Sequence, residues 1–339
     1  MNAKEQFGSA GKPKLAFYWC AACGGCEEAV IDLAEKILDA VAAVEIVFWP
    51  VALDYKRKDV EALPDRSIAA AFLNGAIRTS EQAEMAHLLR HKAQTLIAFG
   101  SCAQTGGVPG LANLFSRESL LCTVYEQSAS TVNTEKIHPQ MQWEDNGQAL
   151  ELPVMMEKVR TINDVVDVDY YIPGCPPTSK LLWEALDAIL KGALPSKGAV
   201  LAKDRALCEE CPRRDSKPVD LAIKEFKRPH EILIDEQKCL LAQGVLCLGP
   251  ATRGGCEAKC IGGNMPCTGC FGPTSRVRDF GAKALSAVAA VIGSNDETEI
   301  AAALEHIPDP VGTFYRYSLP ASMLDKSTSA GGSHEHRRS

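Results

Sequence analysis

Fourteen cysteines, many of them a few residues apart, constrain this 339-residue chain more than any other feature. Six lie before residue 180 and eight fall between 208 and 270. Thiols in such numbers can form disulfides, ligate zinc or iron–sulfur clusters, or pack as small hydrophobes. Met1 to Lys14 is polar, with neither an apolar signal stretch nor a twin-arginine pair. No run approaches the roughly 20 apolar residues of a spanning helix. The expected setting is therefore cytoplasmic, where thiols stay reduced and close-set cysteines point to metal.

Apolar residues make up 46% of the chain and charged ones 23%, enough to bury a real core. A formal net charge of −7, with no Lys/Arg-rich block, argues against a nucleic-acid surface. Gly106-Gly-Val-Pro-Gly110 lacks the Lys-Ser/Thr of a phosphate loop. No Gly-x-Ser-x-Gly, zinc-protease or other nucleophile arrangement occurs, so no catalytic residue is expected on this chain.

Short apolar runs alternate with amphipathic stretches over the first half. Strands are expected at Leu15–Trp19, Val44–Trp49, Ile68–Leu73, Thr95–Phe99 and Tyr170–Ile172. Helices are expected at about 27–41, 80–91 and 180–191. Near-continuous apolar strands interleaved with helices describe an α/β fold: a flavodoxin-like doubly wound parallel sheet over residues 1–198. From 199 to 325 the texture changes to a smaller, irregular domain, rich in Gly, Pro and Cys from 208 to 275. Little apolar core is expected there, apart from a helix at Ala282–Ile292, so bound metal would have to hold it together. Residues 326–339 read as a disordered tail, and His334 and His336 as solvated rather than ligating.

In a doubly wound sheet, ligands gather beyond the carboxyl ends of the strands. Cys23 and Cys26 follow the first strand, Cys102 the fourth, and Cys175 the last. Four thiolates from three loops suit one [4Fe–4S] cluster, and Gly24, Gly25, Gly100, Gly106, Gly107 and Gly174 would let backbone N–H groups approach its sulfurs. Cys20 is then a packed thiol ending the strand, and Cys122 is structural. Downstream, Cys208, Cys211, Cys239 and Cys247 form a second quartet, and Cys256, Cys260, Cys267 and Cys270 a third. Eight cysteines leave no remainder, but zinc held by four thiolates remains open for these two quartets.

The Cys23-Gly-Gly-Cys26 loop, Gly100-Ser-Cys102, Pro173-Gly-Cys-Pro-Pro177 and Pro266-Cys-Thr-Gly-Cys270 together resemble the small subunit of nickel–iron hydrogenases over roughly residues 14–275. The cytoplasmic methyl-viologen-reducing, F420-non-reducing type is most similar. That resemblance implies an electron-transfer subunit with three [4Fe–4S] clusters and a nickel–iron centre on a separate large subunit. The proximal cluster would use Cys23, Cys26, Cys102 and Cys175. The medial would use Cys256, Cys260, Cys267 and Cys270, and the distal Cys208, Cys211, Cys239 and Cys247. A small iron–sulfur subunit and a heterodisulfide-reductase-like flavoprotein would complete the complex. Two departures from the periplasmic pattern stand out: Cys208 occupies a position often held by histidine, and Cys260 supplies a fourth thiolate to a medial site that is often [3Fe–4S]. Both add anionic ligands and imply low potentials, suited to a hydrogen couple near about −0.4 V. Three other identities compete: the F420-reducing gamma subunit, a complex I-like 20 kDa subunit, and a zinc-stapled structural protein.

Overall fold

Five apolar runs become five strands of one all-parallel sheet. They are β1 (Lys14–Trp19), β2 (Glu45–Phe48), β3 (Ile68–Asn74), β4 (Ala93–Phe99) and β5 (Tyr170–Ile172), in the spatial order β2-β1-β3-β4-β5. This is the doubly wound, flavodoxin-like order. The structure is a computed structural model that describes residues 11–307 and 309–325. The expected tail at 326–339, with its two histidines, lies outside the described residues. Among those described, no helix is long and apolar enough to cross a membrane.

Every residue of the central β3 is buried, so its sequence shows no alternation. Successive side chains nonetheless enter different cores. Leu15, Phe17, Ala70, Phe72, Ile97 and Phe99 line one face, where the Phe17 and Phe72 rings stack 4.8 Å apart. Ala16, Ala71, Leu73, Leu96 and Ala98 line the other. Helices cover both faces. α1 (Gly25–Ile31) and α2 (Lys36–Ala43) follow β1, α3 (Ser80–Lys92) precedes β4, α4 (Ser101–Thr105) follows it, and α5 (Ser179–Leu190) follows β5. Leu182, Ala185, Leu186 and Ile189 of α5 fill the first face, and Met85, Ala86 and Leu89 of α3 the second. Thr79 and Thr178 cap α3 and α5, accepting from the Gln82 and Leu181 N–H groups.

The single helix expected over 27–41 is two helices. The break contains Ala34 at φ +51°, a left-handed residue that is not glycine, so no Gly or Pro signals it.

The C-terminal half corrects a second expectation. Leu207, Phe226, Leu240, Val245, Leu248 and Ile261 are buried in a cluster of their own, closed by Phe280 and Val288 of a helix at Phe280–Ala289 and by Phe314. Loops and single 3₁₀ turns deliver most of these residues, so no helical or strand period betrays the core. Its lid comes from beyond residue 275. The chain then returns to the sheet: Gly107 N–H and Thr105 Oγ1 donate to Tyr317 O at 3.1 and 2.6 Å, and Lys158 pairs with Asp325 at 3.0 Å.

Candidate metal centres

The loops at the carboxyl edge of the sheet build the first site. After β1, Cys20 N–H donates to Asn74 O at 2.8 Å, and Ala21 and Ala76 exchange backbone hydrogen bonds. This pins the strand end before the chain turns through Gly24 into α1. Cys23 lies just ahead of that helix and Cys26 in its first turn. Cys102 lies in the first turn of α4, whose start is held by Gly100 N–H on Ile172 O (2.8 Å) and Ser101 N–H on Gly174 O (2.7 Å). Those two bonds draw the Cys102 loop against the Cys175 loop.

The four thiols face one another. Burial pushes the Cys26 thiol well up, and Cys102, Cys175 and Cys23 push it further. Cys102 is raised to about 12 by burial and then by Cys175 and Cys23. Gly100 shows how close the packing is: at φ +89°, a Cβ there would fall 2.4 Å from Cys26 Sγ. Not all the expected glycines serve the thiols. At Gly106 the missing Cβ makes room for the Pro320 ring instead.

Cys20 stands outside this group: it is buried, and its thiol is raised by burial alone. Cys122 is half-buried and accepts from Gln127 Nε2 at 3.3 Å.

Cys208, Cys211, Cys239 and Cys247 also converge. Burial, then Cys247, raises Cys208 to about 12; Lys217 opposes, while Cys211 and Cys239 add to the rise. A Cβ on Gly249 would sit 3.3 Å from Cys208 Sγ and 3.7 Å from Cys247 Sγ, so this glycine backbone lies against both sulfurs. Ser216 ties in Cys239, accepting its N–H at 2.7 Å while donating to Arg213 O at 2.7 Å.

In the third group, Cys270 is raised to about 12 by burial and then by Cys256, with Cys175 and Cys260 contributing. Cys256 is raised by burial, then by Glu210 and Cys260. Cys267 is raised by burial, then by Cys247 and Cys270.

The three groups are joined in a row. Ser101 Oγ, beside Cys102, donates to Cys270 O, and the Cys175 N–H faces the Cys270 sulfur. At the other end, Cys267 N–H donates to Cys247 Sγ at 3.4 Å. The group that is last in the chain, 256–270, is therefore central in space.

Several polar residues that serve these loops carry no sequence motif. Glu27, buried next to Cys26, accepts from Trp49 Nε1 and Asn74 Nδ2; burial raises its carboxyl while these two bonds oppose the rise. Glu210 accepts from Gly255 and Glu257 N–H at 2.7 and 3.1 Å and pairs with Lys203 at 3.2 Å, lashing the 208–211 loop to the 255–257 loop. Their partners lie up to 47 residues away, beyond the reach of local spacing.

The donor set fits a cationic group. Thiols crowded together in burial resist ionising, because each thiolate would face both desolvation and its neighbours' charge. Iron or zinc bound among them offsets both costs. Among the described residues, no three His, Cys, Asp or Glu side chains close tightly enough to hold a single metal ion. A tetrathiolate zinc site holds its sulfurs about 2.3 Å from one ion, whereas a cubane spreads four thiolates over four irons.

Comparison with known proteins gives a consistent family. A family model described as the NADH ubiquinone oxidoreductase 20 Kd subunit matches residues 23–189. The iron–sulfur subunit of the F420-non-reducing hydrogenase of Archaeoglobus profundus is 40% identical over 316 residues, covering 92% of this chain and 98% of the relative. The corresponding subunit of the F420-non-reducing hydrogenase of Methanothermobacter marburgensis is 36% identical, covering 93% and 97%. Among solved structures, the NiFeSe hydrogenase of Desulfovibrio vulgaris Hildenborough aligns at TM-score 0.49 and 18% identity, over 79% of this chain and 96% of that one.

Proposed function

We propose an electron-relay role from one premise: the chain belongs to the family of F420-non-reducing hydrogenase iron–sulfur subunits. It is a subunit of a nickel–iron hydrogenase, an oxidoreductase whose catalytic metal sits on a partner large subunit. On our reading this chain carries electrons away from hydrogen oxidation through three [4Fe–4S] clusters. Cys23, Cys26, Cys102 and Cys175 hold the proximal one, Cys256, Cys260, Cys267 and Cys270 the medial, and Cys208, Cys211, Cys239 and Cys247 the distal.

The observation that carries this reading is the row of three thiol groups in direct contact, through Cys175 and Cys270 on one side and Cys267 and Cys247 on the other. The clusters, when bound, supply one-electron acceptors of low potential. The chain's own residues do the rest. Burial shields Cys102, Cys247 and Cys267 from water, and backbone N–H groups of Gly249 and Cys267 point at Cys247 and favour its thiolate. Cys23 and Cys175 are exposed at the sheet edge, which leaves the proximal end open to a large subunit. The distal end would pass electrons to a small iron–sulfur subunit and a heterodisulfide-reductase-like flavoprotein, or to another low-potential acceptor, in the cytoplasm.

The test is metal content and EPR of the complex purified without oxygen. We expect about twelve irons per copy of this chain, four per cubane, beyond the large subunit's own metals. Zinc in either C-terminal quartet, or iron for one cubane alone, overturns the relay.

A further inference from the structure

Arg213 is a buried guanidinium with an unmet hydrogen-bonding atom. It is 6% exposed and follows Cys211 by two residues. Its Nη2 donates to Ile261 O at 3.0 Å and to Asn264 Oδ1 at 2.8 Å, while Nη1 is buried with no hydrogen-bond partner among the described residues. Both hydrogen-bond partners are neutral, one a carbonyl and one an amide; the charge of Arg213 also reaches Asp235, an exposed carboxylate already engaged by the Gln237 N–H and Lys238. Ile261 is the residue after Cys260, in the short helix Lys259–Gly262. The side chain therefore spans from the loop of the distal quartet to the helix that carries a medial thiol. Its backbone carbonyl, through Ser216 Oγ, also reaches the N–H of Cys239.

Arginine stays protonated at any working pH. A guanidinium buried among neutral partners is strongly disfavoured unless an anion lies nearby. Cubanes with four thiolates are anionic, and more so when reduced. Glu210, the buried carboxylate of the same loop, is already engaged by Lys203 and by two backbone N–H groups.

From this we infer that Arg213 is a positioning residue for electron transfer: its fixed positive charge lies between the distal and medial clusters and holds both potentials up. This rests on the three-cluster reading. Positive charge favours the more negative, reduced state of each cluster, so its removal makes both harder to reduce. The proximal cluster, on the far side of the medial group, should feel less.

The experiment is EPR-monitored redox titration of the purified complex carrying Arg213→Met, Arg213→Gln or Arg213→Lys, with iron counted in each and in the wild type. In the Met and Gln variants, the reduced-to-oxidised ratio at fixed potential should fall at least tenfold at the medial and distal clusters. That corresponds to about 59 mV for one electron. The proximal cluster should change by less, and Lys should restore the wild-type ratios. Full iron with unmoved medial and distal potentials in Met and Gln overturns the inference. So does a Lys variant that behaves like Met, since the role is then shape rather than charge. If the Met protein does not assemble, Gln against Lys decides, and loss of iron from all three variants assigns Arg213 a purely structural role. A wild type lacking about twelve irons overturns the cluster reading instead, and is recognised before any variant is compared.

Discussion

Gly100 is tightly constrained by the first site. It has φ +89° and ψ 166°, a region adopted almost only by glycine that costs a residue with a Cβ about 1–3 kcal/mol. The Cβ of an alanine would also fall 2.4 Å from Cys26 Sγ and 3.4 Å from Gly174 O. Neither neighbour can retreat easily, because Cys26 is held by α1 and Gly174 by its bond from Ser101 N–H. Gly100→Ala should therefore displace the Cys26 thiol and empty the proximal site, lowering iron by about a third while the other two quartets stay loaded. Full iron content in that variant would show that Cys26 is not a ligand. This crowding was partly legible in the sequence, since glycine beside cysteine at a strand end implies close approach of backbone to sulfur. Gly106 illustrates the limit of that inference. It lies four residues beyond Cys102, closing α4, and it accommodates a proline 214 positions away, a contact no local pattern encodes.

Elements were legible where burial was uniform and obscure where packing was non-local. The five sheet strands stand out because each is an apolar run between breakers, and their order follows from alternation with helices. The hairpin Gln142–Asp145/Gln148–Glu151, exposed along its whole length, and the return of residues 315–325 to the sheet depend on pairings without local pattern. At the amino edge, one carboxylate binds three elements together. Asp169, just before β5, accepts from Arg90 of α3 and Lys197, each at 2.6 Å, and from the Leu96 N–H of β4 at 2.8 Å. Burial alone would raise its carboxyl, but these three partners outweigh burial and hold it below the usual range. Asp169→Ala should cost about 3 kcal/mol in thermal or denaturant unfolding, because Arg90 is left largely buried without its counter-ion. The pH dependence has a definite sign. A carboxyl lowered in the fold contributes stability that is present above its unfolded value of 3.8 and is lost as pH falls through the folded value. The gap in melting temperature between wild type and Asp169→Asn should thus be widest above about pH 4 and narrow below it. A gap unchanged in acid would mean that Asp169 acts by shape rather than charge.

Across the whole molecule, the order of cysteines along the chain suggests three groups but not their sequence in space; only the resemblance to hydrogenase small subunits implied that 256–270 is the middle one. Chain order places 208–247 between the other two groups, whereas contacts place 256–270 there. The reason is physical: Cys267 and Cys270 flank a turn through Gly269 at φ +98°, so one thiol meets the distal group and the other the proximal. A central position makes the medial quartet the one whose alteration should tell most about the relay, and Cys260 is its most accessible member. It is exposed and second in the helix Lys259–Gly262, where the backbone N–H has no intrahelical acceptor. Proline is tolerated in a first turn, so Cys260→Pro should leave the core of Leu248, Ile261 and Phe280 intact. With three thiolates left, the medial site should lose one iron, taking the total from about twelve to about eleven, and show a [3Fe–4S] EPR signal when oxidised. One anionic ligand fewer should also raise its potential, placing an electron sink in mid-relay and slowing hydrogen-driven reduction of low-potential acceptors more than that of high-potential dyes. Should the oxidised variant keep about twelve irons and lack that signal, the fourth medial ligand is not Cys260, and the row of three has been divided in the wrong place.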